Sequence, residues 1–108
     1  MDFLTKLEEL ILISVKRLGE EAYGTTVYKF IRDNTGKNLS LGGVYFPLDR
    51  LVKKGYLRAF IGETTQSRRG LSKRYYKLTS LGEEALHEIH RIHEVMWGEA
   101  HPARPKKG

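Results

Sequence analysis

Hydrophobic residues recur at helical spacing through the first half of the chain, alternate after Gly55, and return to helical spacing near the end. Leu7, Ile11, Val15 and Leu18 share one helical face, and the spacing predicts a helix over residues 5–18. Thr5 with Glu8 three residues on has capping-box spacing at its start, and Gly19 marks its stop. Leu10, Leu12 and Ile13 widen the apolar face to nearly the whole circumference. Such a helix needs two surfaces to bury it, its own core and a second subunit. A second helix is expected over residues 25–34, opened by Tyr23 and Gly24, with Val27, Phe30 and Ile31 inward and Gly36 at its end.

A third helix is expected from Ser40, a good N-cap residue, to Lys54, with Val44, Leu48, Leu51 and Val52 as its core stripe. Pro47 lies inside it. Proline lacks an N–H and crowds the carbonyl four residues back, here that of Gly43, so an irregular or late-starting first turn is expected. After Gly55 the period becomes two. Leu57, Ala59 and Ile61 alternate with Tyr56, Arg58 and Phe60, and Arg74, Tyr76 and Leu78 alternate with Lys73, Tyr75 and Lys77. Both runs favour strands, and the polar loop between them makes an antiparallel hairpin with a basic tip.

A last helix starts near Thr79 or Ser80, where Ser80 and Glu83 repeat the capping-box spacing. Its stripe is Leu81, Ala85, Ile89, Ile92 and Met96. The helices before it suffice to close a small core, so dimerisation is its most economical use. The expected dimer interface is Leu10, Ile13, Leu81, Ala85, Ile89, Ile92 and Met96. The fold class expected is α+β, mostly α: three helices and a two-stranded wing, a winged helix-turn-helix, followed by a dimerisation helix. The DNA-binding unit spans residues 1–79, the helix 80–100 and a flexible Pro- and Lys-rich tail 101–108. The 108-residue length accommodates a single core.

Charge sharpens this reading. The net charge is +6, but residues 1–49 hold 6 basic and 7 acidic residues, and residues 78–108 hold 4 and 5. The stretch from Arg50 to Lys77 holds 9 basic residues and the single acid Glu63. A positive surface confined to a helix end and a hairpin is the footprint of a polyanion-binding domain. The chain has no cysteine, which removes disulfides and thiolate metal sites. It has no apolar run of about 20 residues and no basic start with a cleavage site, so a cytoplasmic protein with no membrane partner is expected. No phosphate loop, cysteine nucleophile or HExxH pattern is present, and the chain is not expected to be an enzyme.

Several pieces together carry a family resemblance. They are Tyr23-Gly24, Gly42-Gly43-Val44-Tyr45 followed by Leu48-Asp49-Arg50-Leu51, Gly55-Tyr56-Leu57, and the run from Lys73 to Thr79. In this order and spacing the chain resembles PadR-type transcriptional regulators of the short class, which end in a single C-terminal helix. The resemblance implies a homodimeric repressor of double-stranded DNA, with inverted-repeat operators and C-terminal helices packed on the partner's N-terminal helix. One departure stands out. The family usually shows Gly-Thr-Leu-Tyr-Pro where this chain has Gly42-Gly43-Val44-Tyr45-Phe46, with Pro47 one position later.

The candidate DNA-binding residues are Thr25, Thr26, Ser40, Gly42, Gly43, Tyr45, Arg68, Arg69, Lys73 and Arg74. Ser40 serves as helix cap, phosphate contact or both. Gly42 and Gly43 let the backbone approach DNA closely, and Tyr45 lies off the core stripe near the helix N-terminus, as a groove contact or a packing residue against the second helix. Phe46 is a candidate for a thymine methyl or for local packing. Thr25 and Thr26 can offer hydroxyls and helix N-terminal amides to a phosphate or simply cap the helix. The four wing cations suit phosphates or a narrow minor groove. On the last helix, Leu86, His90, His93 and Trp97 share a face. His93 and Trp97 are the candidates for a small hydrophobic or planar aromatic effector, since some PadR-type proteins respond to aromatic compounds held between subunits. No metal site or other cofactor is expected, because the two histidines lack a third ligand. The competing reading is a winged helix used as a protein-interaction module.

Overall fold

Thr5 and Glu8 start the first helix as their spacing predicts. Thr5 Oγ1 accepts the Glu8 amide at 3.0 Å, and the Glu8 carboxylate accepts the Thr5 amide at 2.9 Å. Each contact satisfies an amide that no helical carbonyl reaches. The structure is a computed structural model and describes residues 3–62 and 73–98. Helix α1 spans Lys6–Leu18 and runs into a 3-10 turn at Gly19–Glu21. Helices α2 (Gly24–Thr35) and α3 (Gly42–Lys53), strands β1 (Leu57–Ile61) and β2 (Arg74–Leu78), and helix α4 (Ser80–Trp97) follow.

The strands pair antiparallel, with Leu57 opposite Leu78 and Ile61 opposite Arg74. Tyr23 forms a single bridge to Tyr75, and the Tyr76 amide donates to the Ala22 carbonyl at 2.9 Å. The root of the hairpin is thereby fixed to the start of α2. Ile11, Leu12 and Val15 of α1, Val27 and Ile31 of α2, and Val44, Leu48 and Leu51 of α3 form the core with Leu57 and Tyr76 of the hairpin. Burial pushes the Tyr76 phenol above its ordinary pKa, with Arg74 pulling in the opposite direction. Tyr75, on the other face of β2, stacks on Phe60 instead.

Helix α3 starts late, as Pro47 led us to expect. Its first residue is Gly42, and the Val44 amide reaches the Leu41 carbonyl, three residues back, at 3.1 Å. Ser40 still caps the helix from just outside it, accepting the Gly43 amide on Oγ at 3.0 Å. A side chain at position 43 would begin 3.0 Å from that Oγ.

Two expectations for α4 are corrected. Thr79, not Ser80, is its N-cap: Thr79 Oγ1 accepts the Gly82 amide at 3.0 Å and donates to the Gly55 carbonyl at 2.5 Å. Glu83 closes no capping box and pairs with Lys16 of α1 at 2.9 Å. Second, Ala85 and Ile89 are buried in the chain's own core. They pack there because α4 lies directly against the entry to β1. A Cβ on Gly82 would sit 2.9 Å from Leu78 Cδ2 and 3.2 Å from the Tyr56 carbonyl carbon, so only glycine permits this approach. Of the expected interface, Ile13, Leu81 and Met96 are exposed, and Leu10 and Ile92 are half-buried.

Candidate nucleic-acid interface

Helix α3 buries Val44, Pro47, Leu48 and Leu51, which leaves Gly42, Tyr45, Phe46, Asp49 and Lys53 on its outer side. Tyr45 is partly committed to packing. Its ring lies over Gly24 at the start of α2, where a Cβ would come within 2.6 Å of two ring carbons, yet 42% of the residue remains exposed. Phe46 is 76% exposed, so the local-packing role does not apply. Ser40 is exposed and uses its oxygen as a cap.

The hairpin divides its cations between two faces. Arg58 and Lys77 are directly opposed in the register and both are exposed. Like charges facing each other across a sheet repel. Phe60 and Tyr75 stack beside them with ring centroids 5.8 Å apart, and Lys73 holds its ammonium 3.9 Å from the Tyr23 ring centroid. Arg74 points to the other face. Its guanidinium lies 3.8 Å from Asp49 of α3 and 5.5 Å from the Tyr76 ring, which makes it a strap between wing and helix rather than a free tip cation. Arg68 and Arg69 lie outside the described residues.

The basic stretch is also partly neutralised from inside. Glu8, 1% exposed, accepts from Arg50 Nε at 3.1 Å and Lys54 Nζ at 3.2 Å. Burial pushes its carboxyl up, but the Thr5 amide, Arg50 and Lys54 outweigh that and hold it below its ordinary value. Among the described residues, Lys53, Arg58, Lys73 and Lys77 pair with no carboxylate. At the start of α2, Thr26 is spent locally. Its oxygen accepts the Tyr23 amide at 3.0 Å and its proton goes to backbone carbonyls, including that of Tyr23 at 2.9 Å. This is the capping alternative for the Thr26 hydroxyl. Thr25 is half-buried beside it.

A separate groove of about 670 Å³ runs between α1 and α4, with Leu10, Ile13, Leu86 and Ile89 among its apolar walls and His93 at its rim. His93 Nε2 lies 3.7 Å from Glu9 Oε1. Trp97 is exposed and does not line this groove, so His93 and Trp97 do not form one pocket in the chain. Among the described residues, no three metal-ligating side chains gather, and no helix is long and apolar enough to cross a membrane.

The model of the transcriptional regulator PadR-like family matches residues 11–88. The chain belongs to the PadR-like family of transcriptional regulators. A comparison with curated proteins finds no match. The fold is similar to that of a PadR-like transcriptional regulator from Bacillus cereus, with a TM-score of 0.72 and 22% identity, covering 87% of this chain and 86% of that one. A PadR family transcription regulator from Clostridium difficile is similar at TM-score 0.70 and 22% identity, over 89% and 94% of the two chains. A PadR-like transcription factor from Bacteroides fragilis gives 0.66 and 29%, over 90% and 89%.

A PadR-like regulator acts by binding DNA and is not an enzyme, so the outer side of α3 and the wing are the surfaces to examine for DNA contact. Two cations there escaped the sequence reading. Arg58 and Lys77 each sit in a strand, away from the obvious basic tip. Alternation put both on the face opposite the core-facing residues, but only the register makes them neighbours.

Proposed function

We propose that this PadR-like chain is a cytoplasmic, homodimeric repressor that binds an inverted-repeat operator in double-stranded DNA. Residues 1–79 form the DNA-binding unit. Helix α3 enters the major groove by its N-terminal end, with Ser40, Gly42, Gly43 and Tyr45 nearest the bases. Thr25 and the amides opening α2 take a flanking phosphate. Lys73, Arg58 and Lys77 lie along the backbone, joined by Arg68 and Arg69, and displace its counterions. The observation that supports this reading is that, among the described residues, Arg58, Lys73 and Lys77 of the wing pair with no carboxylate, while Asp49 on the outer side of α3 is paired with Arg74.

The segment 80–100 serves dimerisation. Leu10 and Ile13 meet a second copy along the groove between α1 and α4, and Leu81, Ile92 and Met96 extend the interface outside it. That groove is apolar within and charged at its rim, which suits both a partner helix and a small hydrophobic or planar aromatic effector. An effector alters DNA affinity only through unequal affinity for two dimer states.

The test is titration of the protein against its own upstream DNA and random DNA at two salt concentrations. Salt-sensitive binding with at least ~10³-fold preference for the upstream DNA is expected. Equal binding to both leaves a non-specific DNA-binding protein. No binding at low salt refutes the DNA reading and favours a protein-interaction module, for which the exposed Leu41 and Phe46 would be the contact.

A further inference from the structure

The leading half of α3 has an unusual chemistry for a helix that reads DNA. From Ser40 to Leu48 it contains no Arg, Lys, Asn, Gln, Asp or Glu. The bidentate contacts that select guanine or adenine in the major groove need those side chains. This stretch can offer two hydroxyls and apolar surface. Ser40 Oγ already caps the helix, and the Tyr45 ring is held over Gly24. Asp49, one turn beyond Tyr45, would repel phosphates, but Arg74 stands 3.8 Å away and offsets it.

Phe46 is what remains. It projects from the same outer face as Gly42, four residues earlier, and 76% of it is exposed. Apart from the helix's own neighbouring residues, nothing lies within 4 Å of where a Cβ on Gly42 would sit, so the helix face that Phe46 shares is open at that end. A single exposed apolar residue needs no explanation on an ordinary surface. Here it stands where the usual family pattern has proline, on a helix face whose other outward side chains include a tyrosine ring packed over Gly24 and an acid paired with Arg74. The one apolar group that base edges present in the major groove is a methyl on pyrimidine C5.

We infer that Phe46 is a specificity-determining residue that reads the C5-methyl group of a pyrimidine in each operator half-site. The inference rests on the DNA reading proposed above. The methyl belongs to thymine in ordinary DNA and to 5-methylcytosine in methylated DNA, and the ring meets the same group in either base. The phosphate contacts of the wing then supply affinity, and the α3 contact supplies base choice.

The probe is a pool of duplexes with a randomised 24-base-pair centre, enriched on the protein. The recovered sequence is then resynthesised with thymine replaced singly by deoxyuridine, or T·A replaced by 5-methylcytosine·guanine or cytosine·guanine. We expect one thymine per half-site whose loss of a methyl weakens binding about fourfold, the worth of burying one methyl group, and about 15-fold when both half-sites change. In Phe46→Ala the ratio between thymine and deoxyuridine duplexes falls to one, while the melting temperature stays at the wild-type value. Phe46→Leu keeps part of the ratio. Tighter binding of 5-methylcytosine than of cytosine assigns the contact to the methyl in either base; equal binding of those two restricts it to thymine. An enriched sequence whose affinity ignores every methyl, or an undiminished ratio in Phe46→Ala, overturns the inference and leaves the DNA reading standing. A pool that yields no enriched sequence overturns the sequence-specific reading itself, and the inference with it.

Discussion

Replacing Glu8 tests how α1 is tied to α3. The carboxylate is buried and makes three contacts, with the Thr5 amide at 2.9 Å, Arg50 at 3.1 Å and Lys54 at 3.2 Å. In Glu8→Ala the capping contact is lost, at a cost of about 1 kcal/mol. The Arg50 and Lys54 side chains are 50% and 43% exposed, so water receives them when the carboxylate goes. Their loss therefore costs roughly 1 kcal/mol together, well short of the figure for a stranded buried charge. The vacated methylenes add about 1 kcal/mol more. The total, about 3 kcal/mol, corresponds to a fall in Tm of roughly 10–20 °C. Glu8→Gln keeps the shape and the acceptor for Thr5, and should cost only about 1 kcal/mol.

The pH dependence separates charge from packing. Glu8 is held below its ordinary 4.5 in the folded chain. The unfolded state therefore binds the proton first, and the stabilisation is complete above the ordinary value. It is lost as pH falls through the lower folded value. The wild-type advantage over Glu8→Gln should be flat from about pH 7 to about pH 5 and shrink below that. Urea melts at one fixed protein concentration measure this, since the stability of the proposed dimer varies with concentration. A gap between the two proteins that stays constant down to about pH 2.5, or no gap at about pH 7, refutes the charged brace.

Three further outcomes are expected. Gly82→Ala should destabilise by about 2–3 kcal/mol in chemical melts, because its Cβ meets the Tyr56 backbone, which cannot rotate away. Arg58→Ala and Lys77→Ala should leave stability unchanged or raise it by up to about 0.5 kcal/mol by relieving cross-strand repulsion. Each should also weaken DNA binding to all sequences alike and lower the salt slope by about 1, read from affinities over a salt series. Ile13→Glu, at an exposed groove position, should shift sedimentation toward monomer while leaving the helical circular dichroism signal intact. An unchanged dimer would move the interface elsewhere.

Much of the fold is legible in the chain because its signals act over short distances. A cap reaches three residues, as from Thr5 to Glu8, and a helical face is set by steps of three and four. The missing hydrogen bond near the start of α3 follows from Pro47, and the hairpin from a change of period after Gly55. The resemblance to PadR-type regulators rests on the same local pieces in order. What the sequence left open is who partners whom. Arg50 and Lys54 count only as part of the basic stretch until Glu8, 42 and 46 residues away, is found between them. Lys16 meets Glu83 across 67 residues. Ala85 and Ile89 match an interface stripe as well as a core stripe, because both need the same apolar spacing. The choice was made by Gly82, which lets α4 close on the root of β1. Arg74 and Lys73 are adjacent and equally charged, and the pleat sends one to Asp49 and the other to Tyr23. Composition and period determine which residues can be buried or charged on a face; only the tertiary approach of the elements decides which charges are neutralised and which remain free for a phosphate.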